Sequence, residues 1–494
     1  MTDTVKRRKE IYPPGSRPAA IPLVAQIEAA IKTVDHPHCV DQIAEIQAHF
    51  DDHPGRIAQL PVRTFLIGGI LSALAGNKGH QDRICATLRA LPRDYRRRLE
   101  VVTKRDGLVS YDQVHRCNSR LARHLAPSTV GKTDRQEMIA AFFNRILQAS
   151  VADMVLERYR ALDWTYIPPW ALAYVDKNRK MRSKDPDHDG PLGRYPAKDG
   201  APARLCHVNN LHLAVTKNDD GRLVVTAMGL NPSGMDLQSG IRQLLDGITD
   251  AGQRDPTHGV DILYADRGYT QLRPENWAQQ VAERSMTWLG DLKSNKIGKT
   301  VMDRAKPHPS GADMVDGTYY CPCMPETLVN IRLHGNGQNA ADTAKMASEY
   351  DKRKPYAATR YARVKDKDQT RWQCPARAGK VRCPRVPESL RADHTHPTVT
   401  PTGAPGLICE QSTVTIDDDD NIRDRQTVTY GGTTWLELKG HRSQVESSNG
   451  RLQRGPCDVD RDYVRCRSLA KATMAYGFAL ISMNLSLLLA PPDT

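Results

Sequence analysis

The chain of 494 residues is long enough for several domains, and 70 Lys and Arg against 57 Asp and Glu give it a formal net charge of +13. This excess favours an anionic partner, most commonly nucleic acid, while an aromatic content of 6% argues against single-strand binding by serial base stacking. The odd cysteine count of 11 and a start without an apolar signal segment argue against a secreted disulfide framework and predict a cytoplasmic protein.

The first part of the chain indicates a basic arm followed by helices. Residues 1–20 are basic and rich in proline, and we expect them to form a mobile arm. In residues 21–158, apolar side chains recur at helical spacing, as in the stripe of Ile43, Ile46 and Phe50. We therefore predict a helical domain here, and we assign DNA binding to it because it contains a basic helix.

That basic helix is predicted in the stretch SYDQVHRCNSRLARHL. Ser110 is followed three residues later by Gln113, which is the pairing of a capping box. Arg116, Arg120 and Arg123 then fall on neighbouring turns that we expect to be exposed. The helix either enters a DNA groove through these arginines or is an ordinary solvated helix, and the sequence leaves both interpretations open.

From residue 159 onward, helical spacing gives way to short apolar runs separated by turn residues. A hairpin is indicated in 207–230, with its turn at Asp220 and Gly221. The other elements predicted within 159–292 are a strand at 162–170, a polar loop at 176–204, a helix near 236–251, a strand at 261–266, a helix near 274–284 and a strand at 286–292. This order predicts an α/β fold with a mixed sheet and flanking helices.

The regular alternation stops at residue 293 and returns at residue 436. The segment 293–435 is rich in proline and cysteine and predicts an inserted, mostly β subdomain, with a hairpin around IDDDDN at 416–421. The α/β layer then resumes as 436–494, beginning with a helix in LELKGHRSQVESSNGRLQRG that ends near Gly455 and Pro456.

The apolar stretch before the C-terminus predicts a buried helix rather than a membrane span. Residues 472–492 carry no formal charge, but Ser482, Asn484 and Ser486 interrupt them. One helical stripe is apolar and consists of Met474, Phe478, Ile481, Leu485 and Leu488.

Five cysteines of the insertion form a candidate structural zinc site: Cys321, Cys323, Cys374, Cys383 and Cys409. Four thiolates commonly hold a structural Zn²⁺, but their usual spacing within a pair is two to four residues, and the spacing here is irregular. Buried free thiols are the alternative.

Three acidic residues of the α/β layer are candidate catalytic residues. Asp163 lies in the strand LDWTY, Asp266 follows the strand ILYA, and Glu446 lies on the helix after the insertion. A carboxylate at the end of a buried strand is poorly solvated and needs a partner. If the two strands are neighbours, the three carboxylates can converge, and their oxygens suit Mg²⁺ for phosphoryl transfer. Singly, each Asp could instead serve a turn, and Glu446 a surface ion pair.

These motifs together resemble the DDE transposases of bacterial insertion sequences, whose catalytic core is RNase-H-like. The tripeptide DWT beginning at Asp163 matches that family's Asp-x-Thr strand, and the tetrapeptide DRGY beginning at Asp266 matches its second motif. The family's third motif is a helix with Tyr, Arg, Glu and Lys at fixed spacing. Arg442 and Glu446 match its central pair, while Lys439 occupies the position of Tyr and Gln453 that of Lys.

The resemblance covers residues 160–490 and implies an RNase-H-like mixed sheet that is interrupted before the glutamate. It also implies that Asp163, Asp266 and Glu446 hold Mg²⁺ or Mn²⁺, and that water or a 3′-hydroxyl cleaves transposon ends and joins them to target DNA. Further contacts with DNA or phosphate are expected from Arg442, Arg267, Tyr269 and Lys439.

The implied partners are double-stranded DNA, as transposon inverted repeats and as target, and a second copy of the chain in a homodimer on that DNA. The protein is expected in the bacterial cytoplasm, associated with the nucleoid when bound to DNA. Two alternatives stay open: a transposase-derived protein that binds DNA without cutting it, and an RNase-H-like nuclease without strand transfer.

Overall fold

The computed structural model describes residues 21–52, 60–77, 79–101, 108–167, 173–183, 193–195, 204–206, 208–232, 237–299, 306–331, 340–454, 459 and 468–490. The described residues form a mixed α/β fold with a mixed five-stranded sheet, which confirms the predicted α/β class. The predicted basic arm and the predicted helix end at Gly455 and Pro456 lie outside the described residues.

The chain divides into two compact units. The first comprises 1–158, 163–259 and 445–494, and the second comprises 159–162 and 260–444. The predicted helical domain therefore shares its unit with the hairpin of the sheet and with the C-terminal helices, while the insertion belongs to the second unit.

Where residues 21–158 are described, the helical prediction is confirmed. The helices described there are α1 (Val24–Val34), α2 (Val40–Asp51), α3 (Val62–Leu74), α4 (Gln81–Ala90), α5 (Arg93–Arg98), α6 (Tyr111–Leu125) and α7 (Lys132–Ala149). The predicted capping box starts α6. The main-chain nitrogen of Gln113 donates to Ser110 Oγ at 3.3 Å, and the main-chain nitrogen of Ser110 donates to Gln113 Oε1 at 2.7 Å.

The first strand of the sheet along the chain is β1 (Tyr159–Ile167). The other strands of the sheet and their helices are β6 (Asn209–Lys217), β7 (Leu223–Pro232), α8 (Leu237–Arg254), β8 (Ile262–Ala265), α9 (Arg267–Thr270), α10 (Ala278–Glu283) and β9 (Thr287–Gly290). The strand order in the sheet is β7-β6-β1-β8-β9. β6 and β7 are antiparallel, whereas β1, β8 and β9 are parallel. The predicted hairpin is confirmed, and Gly221 in its turn has φ +75, a conformation that favours glycine.

The polar loop predicted at 176–204 is wrong where it is described. Two short antiparallel pairs occur there: β2 (Ala173–Val175) with β3 (Met181–Ser183), and β4 (Gly193–Tyr195) with β5 (Arg204–Cys206). A polar composition hid these strands because three residues are too few to show an alternating apolar pattern.

The edge strand β7 is covered by side-chain amides from three helices of the first unit. Asn144 on α7 accepts from the Met228 nitrogen at 2.8 Å and donates to the Met228 carbonyl at 3.0 Å. The helix α16 (Leu469–Leu489) brings Asn484 to the nitrogen of Val225 at 3.0 Å. An open strand edge is a template for unwanted pairing, and these amides occupy it.

The C-terminal helix α16 is long and apolar enough to cross a membrane, but 78% of its apolar window is buried inside the protein. It packs on α3 and α7, where Gly69 and Gly477 leave room for the rings of Phe478 and Phe143. The predicted stripe is buried except for Leu488, which is 45% exposed. The helix therefore behaves as a core helix, as predicted.

In the second unit, the insertion is not mostly β. It contains the strands β10 (Asp313–Val315), β11 (Thr318–Tyr320), β12 (Thr359–Arg363), β13 (Gln369–Gln373) and β14 (Val414–Asp417), and the helices α11 (Glu326–Val329), α12 (Ala340–Asp351) and α13 (Leu407–Glu410). The hairpin predicted at 416–421 is wrong: β14 pairs with β13, and turns follow Asp417. A run of aspartates suits turns, and its partner strand lies far back in the sequence.

The single helix predicted after the insertion is two helices, α14 (Thr433–Gly440) and α15 (Arg442–Arg454), separated at His441. Trp435 on α14 is fully buried with Tyr264, Leu289, Tyr350 and Tyr430 in an apolar cluster of the second unit.

Candidate carboxylate site

The strand register confirms that the strands carrying Asp163 and Asp266 are neighbours. Leu162 in β1 pairs with Ala265 in β8, and the two strands run parallel. Asp163 and Asp266 are the residues that directly follow these partners, and both are half-buried. The main-chain carbonyl of Asp266 accepts from the nitrogens of Tyr269 and Thr270, at 3.0 and 3.3 Å, so Asp266 also starts the short helix α9.

Asp163 is held by neutral donors in the first unit. Its Oδ1 accepts from the Trp164 nitrogen at 2.8 Å, and its Oδ2 accepts from Asn449 Nδ2 at 3.1 Å. Asn449 is distant in sequence, so this bond fixes α15 against β1. A second side-chain bond, from Gln453 to Thr165, repeats the contact one turn further along the helix.

Glu446 lies on α15 one turn before Asn449. Glu446, Asn449 and Gln453 are spaced by three and four residues and therefore share one side of the helix. The neighbouring stripe of Val445, Ser448 and Leu452 is completely buried and anchors the helix, while Glu446 is exposed. The helix thus carries a solvent-facing carboxylate on the side that contacts β1.

Asp291 is a carboxylate that the sequence analysis missed. It directly follows β9, whose Gly290 pairs with the same Ala265 that precedes Asp266. Its Oδ1 accepts from Lys439 Nζ at 2.8 Å, and its side chain is 15% exposed. The strand in MTWLGDL ends on an aspartate just as ILYAD does, and this shared pattern was the available signal.

Lys439 was predicted to contact phosphate, and the structure places it beside Asp291. Its ammonium also lies 4.8 Å from the centroid of the Trp435 ring. A contact with phosphate would require Lys439 to exchange the Asp291 carboxylate for the phosphate.

The other predicted phosphate contacts divide into two groups. Tyr269 is completely buried and packs against Trp277 with ring centroids 5.1 Å apart, which fits a core residue and not a DNA contact. The backbones of Arg267 and Arg442 begin helices α9 and α15, but their side chains lie outside the described part of the structure.

The three arginines of α6 have different surroundings. Arg116 and Arg123 are exposed as predicted. The prediction that Arg120 is exposed is wrong, because its guanidinium lies 4.3 Å from the centroid of the Phe50 ring and donates to the Phe50 carbonyl at 2.8 Å. Arg120 therefore fixes α6 to α2.

A neutral histidine lies next to the Asp163 segment in the first unit. Burial lowers the pKa of His212 to about 4, although its bond to Asn231 Oδ1, at 2.8 Å, favours the charged form. Its ring centroid is 5.7 Å from that of Trp164. His212 therefore contributes packing and no positive charge near Asp163 at neutral pH.

The five insertion cysteines share one hydrophobic cluster of the second unit. Cys321, Cys374, Cys383 and Cys409 are buried in it, and Cys323 packs against it. A hydrogen bond from Cys321 lowers the pKa of Cys323 to about 6, and the same bond and burial raise the pKa of Cys321. No group of three or more His, Cys, Asp or Glu side chains in the described parts of the chain is arranged to hold a metal ion. Zinc and magnesium binding therefore both stay predictions.

We expect protein purified without chelator to contain about one zinc per chain if these thiols form a closed site, because Zn²⁺ binds four thiolates tightly. Elemental analysis measures it. Cys374→Ser should remove the metal, and Cys117→Ser, which changes a buried thiol of the first unit, should not. Metal-free wild-type protein would establish the cysteines as buried free thiols.

Comparison with known proteins identifies no matching family model, no matching curated protein and no matching solved structure. The carboxylate geometry and the motifs of the chain therefore carry the functional argument.

Proposed function

We propose that this chain is a metal-dependent DNA transposase of the DDE class, with Asp163, Asp266 and Glu446 as its catalytic carboxylates. One observation supports it most: the pairing of β1 with β8 ends at Leu162 and Ala265, an aspartate directly follows each of these residues, and Asn449, one turn after Glu446, binds the first aspartate. Three carboxylates offer the oxygen ligands that hard divalent cations such as Mg²⁺ prefer.

Each residue of the proposed site has its own role. Asp163, Asp266 and Glu446 would hold Mg²⁺ or Mn²⁺, which when bound stabilises charge on phosphate oxygens. Asn449 and the Trp164 nitrogen would orient the Asp163 carboxylate, since each occupies one of its oxygens. An RNase-H-like core and a protein dimer on DNA are parts of the same proposal.

The net charge of +13 supports DNA as the substrate, because phosphate contacts by Lys and Arg supply most of the sequence-independent affinity. The exposed Arg116 and Arg123 of α6 are candidates for such contacts. Substituting either should weaken binding to all sequences alike and flatten its salt dependence.

The test uses the full chain and plasmid DNA carrying the genomic sequences that flank its gene. We expect cleavage at inverted repeats and joining to a second DNA, with Mg²⁺ or Mn²⁺ required. Binding without cleavage would favour the inactive transposase relative, and cleavage without joining would favour a nuclease.

Arg442→Lys is expected to lose most strand transfer while thermal stability changes little. Arg442 precedes Glu446 by four residues on α15, a spacing that places two positions on the same side of a helix. A guanidinium matches two phosphate oxygens in a way that an ammonium cannot. Arg451→Lys, on the same helix, is the control. Normal transposition by Arg442→Lys would assign Arg442 to an ordinary surface ion pair instead.

A further inference from the structure

A cavity of about 500 Å³ lies in the first unit, and none of the three carboxylates lines it. Its walls are the end of α6, the first turn of α7, the end of β7, the start of α8 and the start of α16. All of the described residues that line it belong to the first unit.

Among the described residues that line this cavity, the charged side chains are all basic. They are Arg123, Lys132, Arg135 and Lys471, and no Asp or Glu is among the described lining residues. Arg123, Arg135 and Lys471 form no ion pair with any carboxylate that the structure describes. Arg135 Nε is buried and has no hydrogen-bond partner among the residues that the structure describes.

Two of these cations are held close together by one residue. Arg123 Nε donates to the carbonyl of Ser119 at 3.2 Å, and Lys471 Nζ donates to Ser119 Oγ at 3.2 Å. Two positive charges that both bind Ser119 repel each other, and a nearby anion lowers the free energy of this repulsion. An anion bound in the cavity would therefore stabilise this pair of cations.

The helix starts add to the positive potential. α7 has 18 residues and α16 has 21, and both begin at the cavity. Gly131, the residue before α7, makes no side-chain cap, and Asp134 is the acidic residue of the first turn of that helix. Helix N-termini carry partial positive charge and attract phosphate.

We propose that this cavity binds the phosphate of a nucleotide unit, either within a DNA strand or as a free nucleotide. Arg135 and Arg123 supply forked donors that suit phosphate oxygens, and Lys471 adds a point charge. The volume exceeds what one phosphate needs, and the walls at Ala122 and Leu469 offer apolar contact for a sugar or base. This binding does not depend on the carboxylates or on any cleavage activity.

The test compares a double variant, Arg135→Gln with Lys471→Gln, with a control, Lys345→Gln with Arg391→Gln. The control removes the same charge from exposed positions of the second unit. The probes are 2′-deoxyadenosine 5′-monophosphate, followed by calorimetry, and a short labelled duplex DNA, followed by fluorescence anisotropy at several salt concentrations. Arg135→Lys with Lys471→Arg keeps both charges and checks folding.

We expect the cavity variant to lose at least about tenfold in affinity for the probe that the wild type binds, and the control to lose less than about twofold. For DNA, the salt slope should fall by about two, one per removed contact, and the charge-preserving variant should regain most of the binding. Loss with the mononucleotide identifies a free nucleotide as ligand, and loss with DNA alone identifies the strand. Equal effects of the cavity and control variants, or a wild type that binds neither probe, would overturn the proposal.

Discussion

Asp266→Asn, Asp163→Asn and Glu446→Gln are each expected to abolish metal-dependent DNA cleavage while DNA binding persists. Each change keeps the side-chain volume but removes the anionic oxygen that would hold the metal. We expect a loss of at least ~10²–10³-fold, the scale for removing one electrostatic group at a reacting centre. Cleavage of labelled transposon ends measures the rate, and anisotropy with the same DNA measures binding.

The control for these variants is Asp368→Asn. Asp368 is a carboxylate of the second unit whose side chain is 92% exposed and paired with Arg363. The Asp368→Asn variant should cleave DNA at the wild-type rate. Wild-type cleavage by any of the three test variants would remove that residue from the proposed catalytic set.

Asp163→Asn needs an additional variant because Asp163 also has structural bonds. Its oxygens accept from the Trp164 nitrogen and from Asn449 Nδ2. An asparagine at position 163 has only one side-chain oxygen, so its NH₂ group would face one of these two donors. Such a mismatch costs about 1–3 kcal/mol of stability. The double variant Asp163→Asn with Asn449→Asp restores the pairing with the roles exchanged. It should regain thermal stability and still fail to cleave.

Local patterns predicted the elements well where the sequence alone determines them. The capping box of Ser110 and Gln113 starts α6, and the turn at Asp220 and Gly221 joins β6 to β7. Both depend on contacts within a few residues, which a short stretch of sequence contains. The same holds for the buried stripe of α16, since helical spacing alone defines it.

The candidate site was predictable only in part. Asp163 and Asp266 were found because each belongs to an apolar strand run, and the β1–β8 pairing meets the condition on which their convergence depends. The bond from Asn449 to Asp163 joins residues 286 positions apart, and no local pattern signals it. The prediction that Arg120 is exposed was wrong for the same reason, because only the fold brings Phe50 next to its guanidinium.

Arg353→Met is expected to destabilise the second unit by about 3–5 kcal/mol, the cost of leaving one partner of a buried ion pair uncompensated. Arg353 is completely buried, donates to the buried Asp316 carboxylate, and also donates through Nε to the Leu328 carbonyl at 2.6 Å. Four of the six tryptophans lie in this unit, so urea unfolding followed by tryptophan fluorescence reports mainly on it.

Arg363→Met is the matched control for Arg353→Met, because it breaks an ion pair of the same type at an exposed position of the same unit. Arg363 is 61% exposed, and a surface pair of this kind contributes at most about 1 kcal/mol. Adding Asp316→Leu to Arg353→Met should recover part of the lost stability, since it removes the stranded carboxylate from the core. If Arg353→Met lowers the unfolding midpoint no more than Arg363→Met does, the buried pair does not hold the insertion together. Its apolar cluster would then carry that stability alone.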